Sequence, residues 1–225
     1  MIAKLLAEFL GTALIVATVL GAGFAQAGLG ADPALGLTMI ALPVAAVLFV
    51  TISIFGPISG AHFNPLVSLA LLFRKDISVK LAFLYLVVQF LGALVGAFLA
   101  NAMFGGIFAF SQVERISAGA FVGEVLASCG LVLIVLLLIH FSKQELIAPG
   151  VSLWILAGHL FTSSTAFANP AVTLGRVFSN APSSISFDSA FWFSLAQLLG
   201  LVVSLILFSL LVSRKVSKWA KRLHR

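Results

Sequence analysis

The sequence predicts an all-α membrane protein: six transmembrane helices plus two re-entrant half-helices, arranged as an inverted repeat. Three observations carry that expectation. Of the 225 residues, 61% are hydrophobic and only 9% charged, against about a quarter charged in an ordinary soluble domain. The apolar residues fall into runs long enough to cross a bilayer, which takes ~20 residues each. Two further apolar segments are about half that length, and each opens on an Asn-Pro pair.

Taken in order, the first run spans about residues 3–24. It contains Glu8 and is not followed by a small-residue cleavage site after a short core, so it reads as a retained helix rather than a signal peptide. The second run covers about 35–56 and the third 79–103. The fourth covers 117–141, the fifth 147–163 and the sixth 189–213. Polar breaks separate them at 26–33, 74–78, 111–117, 142–145 and 179–188.

The short segments start at Asn64-Pro65 and Asn169-Pro170. Asparagine is a favoured helix N-cap. Proline suits the first helical position, where its missing N–H is not needed. Small, loop-like residues precede each pair: 56–62 in one case, 163–168 in the other. Each segment therefore reads as a half-helix that starts near mid-membrane.

The two halves match. Each opens on a helix with one intramembrane glutamate, Glu8 or Glu124, and each carries its half-helix between its second and third spans. Three spans is an odd number, so the halves enter from opposite faces, and interrupted helices at matching positions mark the site. The expected organisation is one domain over 1–225, with repeats at about 1–110 and 111–213 and a basic tail at 214–225.

The net charge of +6 is explained by placement rather than by nucleic acid, for which no aromatic-interleaved basic surface is present. Six of the 13 Lys and Arg residues lie in the last twelve positions, from Arg214 to Arg225, with Trp219 among them. With six crossings, Lys4, Arg74, Lys75, Lys80, Lys143 and the tail fall on one side, and Arg115 and Arg176 on the other. The excess predicts that both termini are cytoplasmic, in an inner (plasma) membrane, with the tail against anionic lipid. Cys129 is the only cysteine, which excludes an intrachain disulfide and cysteine-based metal clusters. Its setting predicts a buried packing residue. The histidines show no metal-ligand spacing, so neither metal nor cofactor is expected. The Gly92/Gly96 and Gly119/Gly123 pairs predict close helix contacts.

The stretch Ser59-Gly60-Ala61-His62-Phe63-Asn64-Pro65, with Asn169-Pro170-Ala171, Glu8, Glu124 and the six-span layout, resembles the aquaporin and glycerol-facilitator (major intrinsic protein) superfamily. The likeness covers essentially the whole chain. It implies a homotetramer in which each protomer has its own pore for small neutral solutes: water, glycerol-like polyols, possible neutral metalloid acids. It further implies that the Asn64 and Asn169 amides line a central constriction. Carbonyls of Gly60, Ala61, His62, Ser164, Thr165 and Ala166 form an acceptor ladder, and buried Glu8 and Glu124 buttress the loops.

Two departures stand out. Leu66 replaces the usual alanine of the first motif, and Val172 replaces the arginine that usually follows Asn-Pro-Ala. Arg176 lies one turn further on and is not assumed to take that role. Counting by the family's spacing puts the outer filter at Val44, Ala157, Ala166 and Val172, with Gly158 and Phe167 as alternates. His159 is a second candidate for the lumen. The Ser163-Ser164-Thr165 run and Val172 resemble a bacterial branch linked to metalloid passage. The alternatives are a secondary transporter, which lacks coupling residues beyond the two glutamates, and a structural membrane protein on the same fold. An enzyme is not expected, since no nucleophile–base or metal-protease grouping is present.

Overall fold

The computed structural model describes residues 1–212; the basic tail and Trp219 lie outside the described residues. Among the described residues eight α-helices follow one another: α1 Ile2–Gly28, α2 Pro33–Ser59, α3 Pro65–Phe73, α4 Val79–Phe104, α5 Ala118–His140, α6 Ile147–Phe161, α7 Pro170–Val177 and α8 Phe187–Leu211. Five of them are long and apolar enough to cross a membrane. The exception among the six crossings is α6. Its 15 residues rise only ~22 Å, and a 3₁₀ turn at Gln144–Leu146 lengthens it at the start.

Helix starts follow local capping chemistry. Asp32 accepts from the Ala34 and Leu35 amides at the head of α2. Ser78, Ser117 and Ser186 each accept an amide three residues on, at the heads of α4, α5 and α8. Each bond satisfies a donor that the helix itself leaves unpaired.

The packing is pseudo-symmetric. α1 lies along α4 as α5 lies along α8, and α1 meets α2 as α5 meets α6. Each half-helix also reaches into the other repeat: α3 touches α5 and α8, while α7 touches α1 and α4. Gly92 and Gly96 let α4 approach the backbone of α1 at Phe9 and Ala13, where a Cβ would collide. Gly200 does the same for α8 against Val125 of α5. Gly119 and Gly123 serve a different contact from the helix pairing their spacing suggests: they face Ser163 and Ser164 of the second re-entrant loop. Cys129 is free and buried.

The loops mark two faces. The face bearing the N-terminus, here the proximal face, holds Arg74, which pairs with Asp76 and donates to the Leu136 carbonyl. On the distal face, the loop before α5 is joined to the end of α7 by Ser111 N–H to Val177 O, and to the loop before α8 by Ser186 N–H to Val113 O.

Candidate functional site

Both half-helices begin at the molecule's centre, and a reciprocal clasp holds them there. Asn64 Nδ2 donates to the Ala168 carbonyl, and Asn169 Nδ2 to the Phe63 carbonyl, each at 2.8 Å. The amide oxygens are used as caps. Asn64 Oδ1 accepts from Leu66 N at 2.9 Å, and Asn169 Oδ1 from Ala171 N at 3.0 Å and Val172 N at 3.3 Å. Each side-chain amide has two N–H donors. With one committed to the clasp, one remains on each asparagine for the cavity, which both residues line.

The loops leading to the asparagines share one unusual backbone. Positive φ angles occur at Gly60, Ala61 and Phe63 before Asn64, and at Thr165, Ala166 and Ala168 before Asn169. These are the same three offsets in both loops. A left-handed residue other than glycine is disfavoured by roughly 1–2 kcal/mol. What holds the backbone in this form is a carboxylate beneath each loop.

Glu8 accepts from His62 N at 2.9 Å, Phe63 N at 2.7 Å, Ser59 Oγ at 2.7 Å and Gln89 Nε2 at 2.8 Å. Glu124 accepts from Phe167 N and Ala168 N, both at 2.9 Å, and from Gln197 Nε2 at 2.6 Å. Both carboxylates are fully buried, and neither lines the cavity. Gln89 continues to Ser68 of α3, and Gln197 to Thr173 of α7, so each network ties the first helix of its repeat to the loop, the half-helix and the third span.

A narrow cavity of about 80 Å³ runs past this centre. Its walls are mostly apolar side chains from α1, α2, α5 and α6. Gly60, Ala61 and His62 line it in the first loop, Ala166 and Phe167 in the second. Ser164 and Thr165 are absent from the wall. The Ser164 hydroxyl instead accepts from Ala166 N within the loop.

At the distal end, Val44, Ala166 and Val172 line the cavity. Ala157 does not. It stands on the exposed outer face of α6, and Ile155 and His159 form the wall there. Gly158 is also turned away, its Cα packed under the Ala166 side chain. The expected register fails because it counts back from Asn169 through an irregular loop, and here the lumen-facing residue of α6 lies two positions later, at His159.

His159 is buried, and its Nδ1 lies 2.8 Å from the Ile155 carbonyl. A carbonyl only accepts, so Nδ1 carries the proton, and Nε2 of the neutral ring is left as an acceptor. Arg176 lines the cavity as well. Its Nε donates to the Ser183 carbonyl at 2.7 Å. Its guanidinium carbon sits 3.4 Å from the centroid of the Phe167 ring, a cation–π stack. The distal wall therefore carries an acceptor and a cation, while the rest is apolar.

The comparisons agree with one another. The sequence pattern of the family described as "Major intrinsic protein" matches residues 1–147. The aquaglyceroporin AqpS of Rhizobium meliloti (strain 1021) is 40% identical over 205 residues, which covers 91% of this chain and 88% of that protein. Aquaporin TIP1-2 of Zea mays is 35% identical over 183 residues, covering 75% and 71% respectively. In structure, the chain resembles the aquaglyceroporin of Plasmodium falciparum, with a TM-score of 0.75 at 23% identity and with 93% and 94% of the two chains covered.

Proposed function

The chain belongs to the major intrinsic protein family, and from that premise we propose that it is a passive channel for small uncharged solutes, with an outer filter open to more than water. The observation that carries this reading is the apolar stretch at Val44, Ala166 and Val172, with valine at the position that usually holds arginine. Without that guanidinium the opening is wider and less polar. At that position water loses a pair of strong donors and a polyol or a neutral metalloid acid gains room; the guanidinium that the distal wall keeps is that of Arg176, one turn further along α7.

The centre sets a second requirement. Two helix N-termini meet there, each worth roughly half a positive charge, and that field opposes cations, a proton carried on water included. The free N–H of each asparagine suits a passing oxygen and turns it so that a proton wire is broken. The AqpS relative is named as an aquaglyceroporin, and passage of glycerol-like polyols is the corresponding reading for this chain. Neutral metalloid acids, such as arsenite or methylated arsenicals in their uncharged forms, fit the same opening.

The assembly and orientation follow the same reading: a homotetramer in the inner membrane with both termini cytoplasmic. A tag after Arg225 that is digested by protease from outside intact cells contradicts that orientation. The solute reading is tested by stopped-flow swelling of proteoliposomes in glycerol, urea and a neutral trivalent metalloid acid. Reswelling faster than in empty liposomes is the expected result; acceleration of water alone contradicts it.

A further inference from the structure

The guanidinium of Arg176 is in an unusual position for a buried cation. The side chain is 3% exposed, and among the described residues it has no carboxylate partner, since the one ion pair joins Arg74 and Asp76. Its hydrogen bonding is limited to Nε, which donates to Ser183 O. One face of its plane is covered by Phe167. The two terminal nitrogens have no hydrogen-bond partner among the described residues, and the residue lines the cavity. A buried charge is costly unless paired, so this end-on pair of donors calls for oxygen acceptors that come from the cavity side.

The surroundings reinforce the sign. Arg115 lies over the same Phe167 ring, its guanidinium carbon 5.7 Å from the centroid. Backbone carbonyls of Ser184 and Pro182 hold it there, again with no carboxylate partner among the described residues. Two guanidinium groups therefore approach the Phe167 ring, and one of them lines the lumen. Glu124, the buried carboxylate of this repeat, is committed beneath the loop to Phe167 N, Ala168 N and Gln197. His159 lines the same end and adds no negative charge.

We propose that Arg176 makes the distal end of the cavity a binding site for small planar oxyanions of the nitrate and carboxylate class, which bind end-on to its two terminal nitrogens and compete there with neutral solutes. Two parallel charge-assisted hydrogen bonds from one guanidinium match a planar pair of oxygens. Lysine offers the charge without the fork. The proposal rests on the channel reading for its effect on flux, but the binding site stands apart from it.

The test uses nitrate, which is planar and fully ionised and so does not cross the lipid as an acid. Glycerol permeability of wild-type proteoliposomes is measured in sodium nitrate and in sodium chloride of equal ionic strength. Nitrate should lower the flux in a saturable way. Arg176→Met should remove that sensitivity, and Arg176→Lys should weaken nitrate affinity by about tenfold. Equal flux in the two salts, or equal nitrate inhibition in wild type and Arg176→Met, overturns the proposal. If wild type passes no glycerol, the channel reading fails and binding is read directly: nitrate should raise the melting temperature of detergent-solubilised wild type over chloride, and the absence of that rise overturns the site. If Arg176→Met does not fold, the lysine variant decides, and unchanged nitrate affinity in it overturns the fork.

Discussion

The proximal and distal halves of this molecule are built on one plan and differ where they meet the solute. Their centres match almost atom for atom: an asparagine cap, a reciprocal clasp, three left-handed residues and a buried carboxylate in each. Three positions after each asparagine stands a valine, Val67 or Val172, and both line the cavity. One turn further the halves part, with Leu71 on the proximal side and Arg176 on the distal side. On the crossing helices, the last wall residue before the loop is Ile52 in α2 and His159 in α6. In the loops the polarity is reversed: His62 lies proximally, beside Tyr85 and Ser68, and Phe167 distally, in contact with the two arginines. The shared parts are those that hold irregular backbone inside a membrane. The parts free to differ are side chains that face the cavity, so selectivity can change without disturbing the scaffold.

The largest expected effect strikes the shared part. Glu8→Gln and Glu124→Gln each replace an oxygen acceptor by an NH₂ that faces backbone donors. An unsatisfied buried donor costs about 1–3 kcal/mol, and inside a membrane no water relieves it. Each variant should therefore lose several kcal/mol and most of its folded yield. The two losses should be similar, because each carboxylate holds two loop amides and one glutamine of its repeat's third span. Melting in detergent and folded yield measure this. Normal yield with a sharply altered pH dependence of flux points instead to a proton relay. The clasp comes next. Asn64→Ala and Asn169→Ala each remove a cap, worth about 1 kcal/mol, and one clasp bond of similar size. Nearly equal losses are expected, and a large inequality shows that the centre is less symmetric than its bonds.

These two tests concern what was readable from the sequence, and the reason is physical. Apolar runs of membrane length, Asn-Pro caps and lone intramembrane glutamates are signals that a bilayer makes conspicuous, so helix order and the buttressing carboxylates were legible. The distal wall was not. α6 is apolar on nearly every side, and a lipid-facing alanine looks like a lumen-facing one when the solvent is itself hydrocarbon. The count to Ala157 runs through a non-helical loop, which carries no periodicity. Ser164 and Thr165 failed for the same reason: the loop turns on its own hydroxyls before it reaches the lumen. His159 is the available clue, the one histidine on an apolar helix. Arg176 was visible too, but whether its guanidinium reached the lumen depended on Phe167 and Ser183.

The smaller expected effects fall on the part where the halves differ. Val172→Arg places a guanidinium at the constriction. It should lower glycerol permeability by about tenfold, a barrier change near 1.4 kcal/mol, and leave water within about twofold. Unchanged glycerol flux contradicts the filter assignment. His159→Ile makes the distal wall copy Ile52 of the proximal one. It removes one acceptor, so glycerol flux should fall by about threefold with little change in melting temperature. A fall in stability larger than the change in flux assigns His159 to packing.

The most direct test of the account is the wild-type channel in liposomes, challenged by stopped-flow with sucrose and then with glycerol. Rapid shrinkage is expected in sucrose, and in glycerol a shrinkage followed by reswelling well above the rate of empty liposomes. Shrinkage in glycerol that does not reverse faster than in empty liposomes, with water flow accelerated, describes a channel for water alone and contradicts the open filter at Val172.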